Sequence, residues 1–306
     1  MFENDIIIPN ESIDLTAFMG GNYSLSIKRK DQLYPLVSGN KFRKLKYNIQ
    51  EARQKGCNCL LTFGGAYSNH ISAVAAAGRQ YGFNTIGVIR GDELKDNFEQ
   101  NDTLTFAKSQ GMQLHFVSRE DYRRKSEEKF LEKLNQMFGP FYLLPEGGTN
   151  SLAVKGCEEI LTEPDSDFDY ICTSVGTGGT IAGLINASLP HQTVVGFSVL
   201  KGVFQHEIIK KYSSKSNFDL TDEYSFGGYA KIDTHLIRFI NEFKKVTEIP
   251  LDPVYTGKMM FGIFDLLKKG YFRENCRILA VHTGGLQGIA GMNQLLKKKN
   301  LPQIDL

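Results

Sequence analysis

The sequence predicts an α/β protein built on mostly parallel β-sheet. Three observations carry this. Short apolar runs alternate with helical patterns along the chain. Several of these runs end in a glycine turn that leads straight into a helix. At 306 residues, the chain is also long enough for about two domains of ~150 residues. Parallel strands need a crossover between them, normally a helix, so strict alternation argues for sheets covered on both faces.

Taken in order, Cys57 to Phe63 (CNCLLTF) reads as a buried strand ending in Gly64-Gly65. The Ala-rich stretch Asn69 to Tyr81 is a helix stopped by Gly82, since glycine enters the left-handed conformation that ends a helix without a Cβ penalty. Thr85 to Ile89 is a strand, Asp102 to Gln110 a helix and Gln113 to Val117 a strand. Tyr122 to Phe138 mixes Arg, Lys and Glu with spaced apolar residues and reads as one solvated amphipathic helix. A second series follows: strand Tyr170–Val175, helix Thr180–Ser188, strand Thr193–Val199, helices Leu236–Thr247 and Lys258–Lys269, strand Arg277–His282 and helix Leu286–Lys298.

Composition narrows the function. Apolar residues make up 41% and charged residues 23%, ordinary for a folded globular chain and too apolar for disorder. Lys plus Arg is 36 against 34 for Asp plus Glu, a net charge of +2, which leaves no electrostatic footprint for nucleic acid or a membrane surface. No run approaches the ~18 apolar residues of a membrane span. The start, Met1-Phe2-Glu3-Asn4-Asp5, lacks the basic and apolar regions of a secretory leader. Cys57, Cys59, Cys157, Cys172 and Cys276 are odd in number and form no C-x-x-C pair, so neither a disulfide framework nor a zinc site is expected, and a reducing cytoplasm fits.

Three glycine turns mark the candidate site: Phe63 to His70 (FGGAYSNH), Ser174 to Thr180 (SVGTGGT) and His282 to Gly285 (HTGG). A single such turn is often only a tight strand-to-helix connection. Three together, each with a hydroxyl residue, at the strand ends where open parallel sheets bind ligands, point to a site. Gly176-Thr177-Gly178-Gly179-Thr180 is the best anion site, because its glycines let backbone N–H groups approach a phosphate at a helix start. It is neither a Walker A loop nor G-x-G-x-x-G, as position 181 is Ile, and suits a single phosphate. Ser68, Asn69 and His70 open a helix: one of them caps it, and the N–H groups there could hold a carboxylate. Gly39-Asn40-Lys41-Phe42-Arg43-Lys44-Leu45 reads by composition as a basic helix start.

Together, GNKFRKL (39–45), FGGAYSNH (63–70), LPEGGTN (144–150), SVGTGGTIAGL (174–184), VYTGK (254–258) and HTGG (282–285) resemble the fold-type II pyridoxal-phosphate enzymes. The specific likeness is to the group of D-cysteine desulfhydrase and 1-aminocyclopropane-1-carboxylate (ACC) deaminase, with the segments in family order over nearly the whole chain. The resemblance implies the tryptophan synthase β-like fold: two three-layer α/β domains, a large one from 1–43 and 151–306 and a smaller one, 44–150, inserted in it, with pyridoxal 5′-phosphate between them. It implies a homodimer and a small amino-acid substrate. Lys41 falls on the family's Schiff-base lysine, and its neighbours Arg43 and Lys44 are the positive charges that help free such an amine of its proton. Lys44 and the loop Gly176, Thr177, Gly178, Gly179 and Thr180 match the phosphate site. Asn69 matches the partner of the ring hydroxyl, and Ser68 and His70 match positions facing the substrate. Tyr255 matches the tyrosine at the pyridine ring, Tyr229 a second active-site tyrosine, and Thr283 the hydroxyl at the pyridine nitrogen. No metal is implied.

Two positions separate the chemistries within this resemblance. The deaminases carry Glu after the active-site tyrosine, facing the pyridine nitrogen, where this chain has Thr256, and tend to have Gln where it has His70. A carboxylate keeps the nitrogen protonated, which opening a cyclopropane needs; sulfide is already a competent leaving group and asks for less. Both positions favour elimination from D-cysteine to pyruvate, hydrogen sulfide and ammonia. ACC deamination to 2-oxobutanoate and ammonia is the alternative. A non-catalytic pyridoxal-phosphate-binding relative is the third reading, against which the intact Lys41, phosphate loop and Asn69 argue.

Overall fold

The computed structural model describes residues 8–18, 23–33, 36–37 and 39–305; the first five residues, read above for a leader, lie outside these. The strands fall into two sheets. The smaller has the order β5 (Met112–Val117), β4 (Asn84–Arg90), β3 (Cys59–Gly64), β6 (Tyr142–Leu144), all parallel. The larger has the order β1 (Asn10–Ile13), β2 (Ser24–Lys28), β10 (Arg277–Val281), β7 (Tyr170–Val175), β8 (Thr193–Ser198), β9 (Phe218–Thr221), parallel except for the β1–β2 pair.

Because side chains alternate across a strand, each sheet has two apolar faces, and each face has its own helices. In the smaller sheet, Leu60 and Ile89 pack with Leu45 and Ile49 of α1 (Asn40–Gln54), Val74 of α2 (Asn69–Tyr81) and Leu104 of α3 (Asp102–Ser109). The other face, Leu61, Phe63, Ile86 and Val88, meets Tyr122 of α4 (Arg119–Arg123) and Phe130 and Leu134 of α5 (Glu128–Phe138). In the larger sheet, Ile171, Val194 and Leu279 face Cys157 of α6 (Ser151–Glu158), Ile181 and Leu184 of α7 (Gly179–Ala187) and Ile209 of α8 (Gln205–Tyr212). Cys172, Phe197 and Ile278 face Ile240 of α9 (Thr234–Thr247), Met260 of α10 (Thr256–Lys268) and Ile289 of α11 (Gly288–Lys298). The expected pair of three-layer α/β units is borne out.

One expected element is different. Tyr122 to Phe138 is not a single helix: α4 ends at Arg123, and Glu127 is extended before α5 begins. Arg124, Lys125 and Ser126 offer no apolar side chain to the core, and Lys125 instead reaches Glu146 (3.3 Å) and the Tyr122 ring. The short edge strands β1 and β9, the three-residue β6 and the helices α6 and α8 do not stand out in the sequence. α6 (SLAVKGCE) lies between α1 and α7, so its small residues show little amphipathic contrast. The basic start at Asn40 continues as a fifteen-residue helix, α1, that crosses position 43/44 without a break.

Candidate active site between the two sheets

The three glycine turns meet at the carboxyl ends of β3, β7 and β10, and the start of α1 joins them. Gly39 has φ of +64°, and a Cβ there would stand 2.0 Å from the Thr283 carbonyl oxygen; only glycine allows this turn and this approach. The Asn40 N–H donates to that same oxygen (3.4 Å). Asn40 then bridges two parts of the site: its Nδ2 donates to Thr180 Oγ1 (2.8 Å), and its Oδ1 accepts from Lys41 Nζ (2.9 Å). Lys41 is partly exposed along its length, but its amine sits within protein. Desolvation first, and the like charge of Lys44 second, lower it from 10.5 to about 7.

An anion cradle lies beside this amine. Gly178, at φ +89°, starts α7 and supplies no capping side chain, so the first-turn N–H groups of α7 face outward with the positive end of the helix dipole. Thr177 Oγ1 lies 2.6 Å from Thr149 Oγ1, and the buried Lys44 donates from Nζ to Thr149 Oγ1 (3.2 Å) and to the Gly147 carbonyl (2.8 Å). Backbone amides, two hydroxyls and an ammonium group are thus gathered at one point.

Asn69, Tyr229, Tyr255 and Asp252 line a narrow crevice between the sheets, with Tyr67 and Gly285. Gln287 Nε2 donates to Asn69 Oδ1 (3.1 Å), which orients the Asn69 amide with its Nδ2 toward Gly285. Ser68 Oγ accepts from the Ile71 N–H (3.3 Å), so Ser68 is the residue that caps α2. His70 is buried at 2% exposure, neither ring nitrogen has a hydrogen-bond partner, and its Cε1 packs on Gly148. Burial, then the charges of Lys41 and Lys44, hold it well below the usual histidine range and therefore neutral. The Tyr255 ring lies close over Gly176 and edge-on to Tyr229, with centroids 6.2 Å apart. Burial holds the Tyr255 phenol well above its ordinary value, so it is a proton donor rather than a base. At the ends of β7 and β10, Ser174 Oγ and Thr283 Oγ1 stand 3.3 Å apart.

Thr256 is placed differently from the expectation. Its hydroxyl donates to Asp252 Oδ1 (2.8 Å) and accepts from the Asp252 N–H (2.9 Å), and the residue is fully buried. Asp252 also receives the N–H groups of Val254, Tyr255 and Thr256. The chain at this point forms a closed turn into α10, and Thr256 serves the turn. Asn40, Thr149, Ser174, Asp252 and Gln287 are not singled out by the sequence; Asn40, Thr149 and Ser174 lie inside the quoted segments GNKFRKL, LPEGGTN and SVGTGGTIAGL, and that is the available signal. A wider depression of about 730 Å³ lies between α9 and α10, lined by His235, Phe239, Phe261 and Lys268 among others, and none of the site residues borders it.

Residues 10–284 match the family described as pyridoxal-phosphate dependent enzyme. The chain belongs to this family. A pyridoxal-phosphate enzyme needs an amine able to shed its proton, a phosphate cradle and polar groups around a flat ring. Lys41, the α7 cradle with Lys44, and the crevice lined by Asn69, Tyr229 and Tyr255 meet those needs, so the donor set fits the cofactor. Among relatives, a Pyrococcus horikoshii protein provisionally named 1-aminocyclopropane-1-carboxylate deaminase is 31% identical over 92% of this chain and 88% of its own. An Arabidopsis thaliana protein named bifunctional D-cysteine desulfhydrase/1-aminocyclopropane-1-carboxylate deaminase, mitochondrial, is 30% identical over 87% of this chain and 73% of its own. A crystal structure of an ACC deaminase homologue superposes with a TM-score of 0.81 at 28% identity, covering 94% of this chain and 93% of the other. The fold-type II assignment is thereby borne out. Among the described residues, no helix is long and apolar enough to cross a membrane.

Proposed function

We propose that this enzyme is a lyase that converts D-cysteine, or a related small D-amino acid, and water to pyruvate, hydrogen sulfide and ammonia. The observation that carries this reading is the neutral hydroxyl pair Ser174–Thr283, 3.3 Å apart at the ends of two central strands. With the Thr256 hydroxyl committed to Asp252, these hydroxyls would be the groups that meet the ring nitrogen, and a neutral partner suits loss of a good leaving group. Pyridoxal phosphate, when bound, supplies the electron sink that lets the α-proton and the β-substituent leave. Lys41 would hold the cofactor, the α7 cradle, Thr177 and Lys44 its phosphate, and Asn69, oriented by Gln287, its ring hydroxyl. With its amine lowered to about 7, Lys41 is also the group suited to take the α-proton at neutral pH. Tyr255, kept protonated by burial, would give a proton to departing sulfur, with the more exposed Tyr229 ring beside it. Ser68, as cap of α2, and the neutral His70 would fix the substrate end of the crevice.

We further propose that 44–150 acts as the small domain and 1–43 with 151–306 as the large one, in a cytoplasmic homodimer. The second reading, ACC deamination, is favoured by the name of the P. horikoshii relative, while the name of the A. thaliana relative carries both activities. Purified, cofactor-loaded enzyme offered D-cysteine, L-cysteine and ACC in parallel separates the two. Pyruvate and sulfide chiefly from D-cysteine are expected; 2-oxobutanoate from ACC as the main product would transfer the assignment to the deaminase.

A further inference from the structure

We infer that His282, at the end of β10, is a positioning residue that ties together the three segments carrying the active site. Its side chain is fully buried, and its own N–H donates to the Lys28 carbonyl (3.0 Å). Ring Nε2 lies 2.8 Å from the Pro250 carbonyl oxygen. A carbonyl only accepts, so the ring proton is on Nε2, and Nδ1 is left to accept the Gly284 N–H at 3.2 Å. Asp31 Oδ1 stands 3.3 Å from the same Nδ1, but both atoms accept in this tautomer, so Asp31 is held by Arg29 and not by the ring. The Asp31 charge is matched by Arg29, whose Nη2 lies 2.8 Å from Oδ2, with Glu11 3.2 Å beyond on Arg29 Nη1.

Each of these contacts leads to a site residue. Pro250 is two residues before Asp252, which holds the backbone N–H groups of Val254, Tyr255 and Thr256. Gly284 follows Thr283, whose hydroxyl meets Ser174 and whose carbonyl abuts Gly39 and Asn40. Lys28, whose carbonyl accepts the His282 N–H, is two residues before Lys30, whose carbonyl accepts the Gly39 N–H (2.9 Å) just ahead of Lys41. A histidine that merely filled the core would need only shape. Here both ring nitrogens have directional partners, and the partners belong to separate segments that carry Tyr255 and Thr283. The inference rests on the cofactor lying in this cleft and not on the choice of substrate.

Two variants cut the two ring links separately. His282→Asn keeps an acceptor at the Nδ1 position and loses the donor to Pro250; His282→Gln keeps the donor and loses the acceptor. Hydrogen exchange by mass spectrometry on the cofactor-free protein is expected to rise about tenfold in 250–256 for the Asn variant and in 283–287 for the Gln variant, with the other segment unchanged. In loaded enzyme, kcat falls in both with KM little moved, and the bound-cofactor absorbance shifts in the Gln variant. Equal loss of protection in both segments, or none, would reduce His282 to a core residue. In the wild-type protein, ¹⁵N chemical shifts of the His282 ring should report a proton on Nε2 alone; the opposite tautomer would overturn the assignment whether or not the variants fold. The exchange and ring shifts need no substrate, so a failed desulfhydrase assay would leave this result standing.

Discussion

A lysine amine enclosed in protein beside a second lysine keeps its proton only against desolvation and repulsion, and Lys41 is in that position. Its folded value is about 7 against an ordinary 10.5, so between those values the unfolded chain binds a proton that the folded chain does not. The penalty is complete below about pH 7 and fades as the pH rises to 10.5, which means that stability linked to this group increases with pH over that window. Lys41→Met in the cofactor-free protein is therefore expected to raise Tm at pH 7 and to lose that advantage toward pH 10.5; a gain that does not change with pH would argue against the shifted amine. The same neutral amine is the form that captures the cofactor, so the rate of pyridoxal phosphate uptake, followed by absorbance, should climb through pH 7. Lys41→Ala should abolish the absorbance of the lysine-bound cofactor, and its survival would reassign the role to Lys44.

Among the elements, the start of α10 and the contact of α1 with α6 are the points at which small changes should be felt. Asp252, itself buried, gathers three backbone N–H groups and the hydroxyl of the buried Thr256. Asp252→Ala strands those donors and is expected to cost about 1–3 kcal/mol in denaturant unfolding, with a fall in kcat as Tyr255 loses its support. A loss of stability at full turnover would show that the turn does not place Tyr255. α6 approaches α1 so closely that a Cβ on Gly156 would stand 1.9 Å from the Arg43 carbonyl oxygen. Gly156→Ala should then destabilise by about 1–3 kcal/mol through overpacking, and because Arg43 lies between Lys41 and Lys44, cofactor affinity should fall with it. Unchanged stability would mean that the two helices can part without cost.

For the whole molecule, the proposed site would make the cofactor a bridge between the two sheets. The α7 cradle and the Ser174–Thr283 pair belong to the larger sheet, Asn69 and Thr149 to segments flanking the smaller one, and Lys41 to the helix between them. A ligand held by all of these binds the folded chain and not the unfolded one, so pyridoxal phosphate at 100-fold its Kd should add about 2.7 kcal/mol to the unfolding free energy. Calorimetry of protein with and without cofactor measures this, and Thr177→Val, which removes a cradle hydroxyl, should reduce the increment at fixed cofactor concentration while leaving the cofactor-free Tm nearly unchanged.

Most of the architecture was legible in the sequence because it rests on local periodicity. Runs such as LLTF and RILAV read as strands without any partner, and Gly82 stops α2 through its own backbone freedom. The glycine turns were legible for the same reason, as was the resemblance that located Lys41 and the phosphate loop. What periodicity does not contain, the tertiary structure decided. The break between α4 and α5 depends on which side chains find the sheet. The partner of Thr256 depends on a turn closed by Asp252, four residues earlier. Asn40, Thr149, Ser174, Gln287 and His282 take their places from distant contacts, among them Gln287–Asn69 across 218 residues and the still longer His282–Lys28 bond, and no local pattern records a contact at that distance. The sequence by itself determined the central strands, most of the long helices, the glycine turns and the chemistry they can hold; which polar atoms face one another across the cleft was decided only when two separately ordered sheets were brought together.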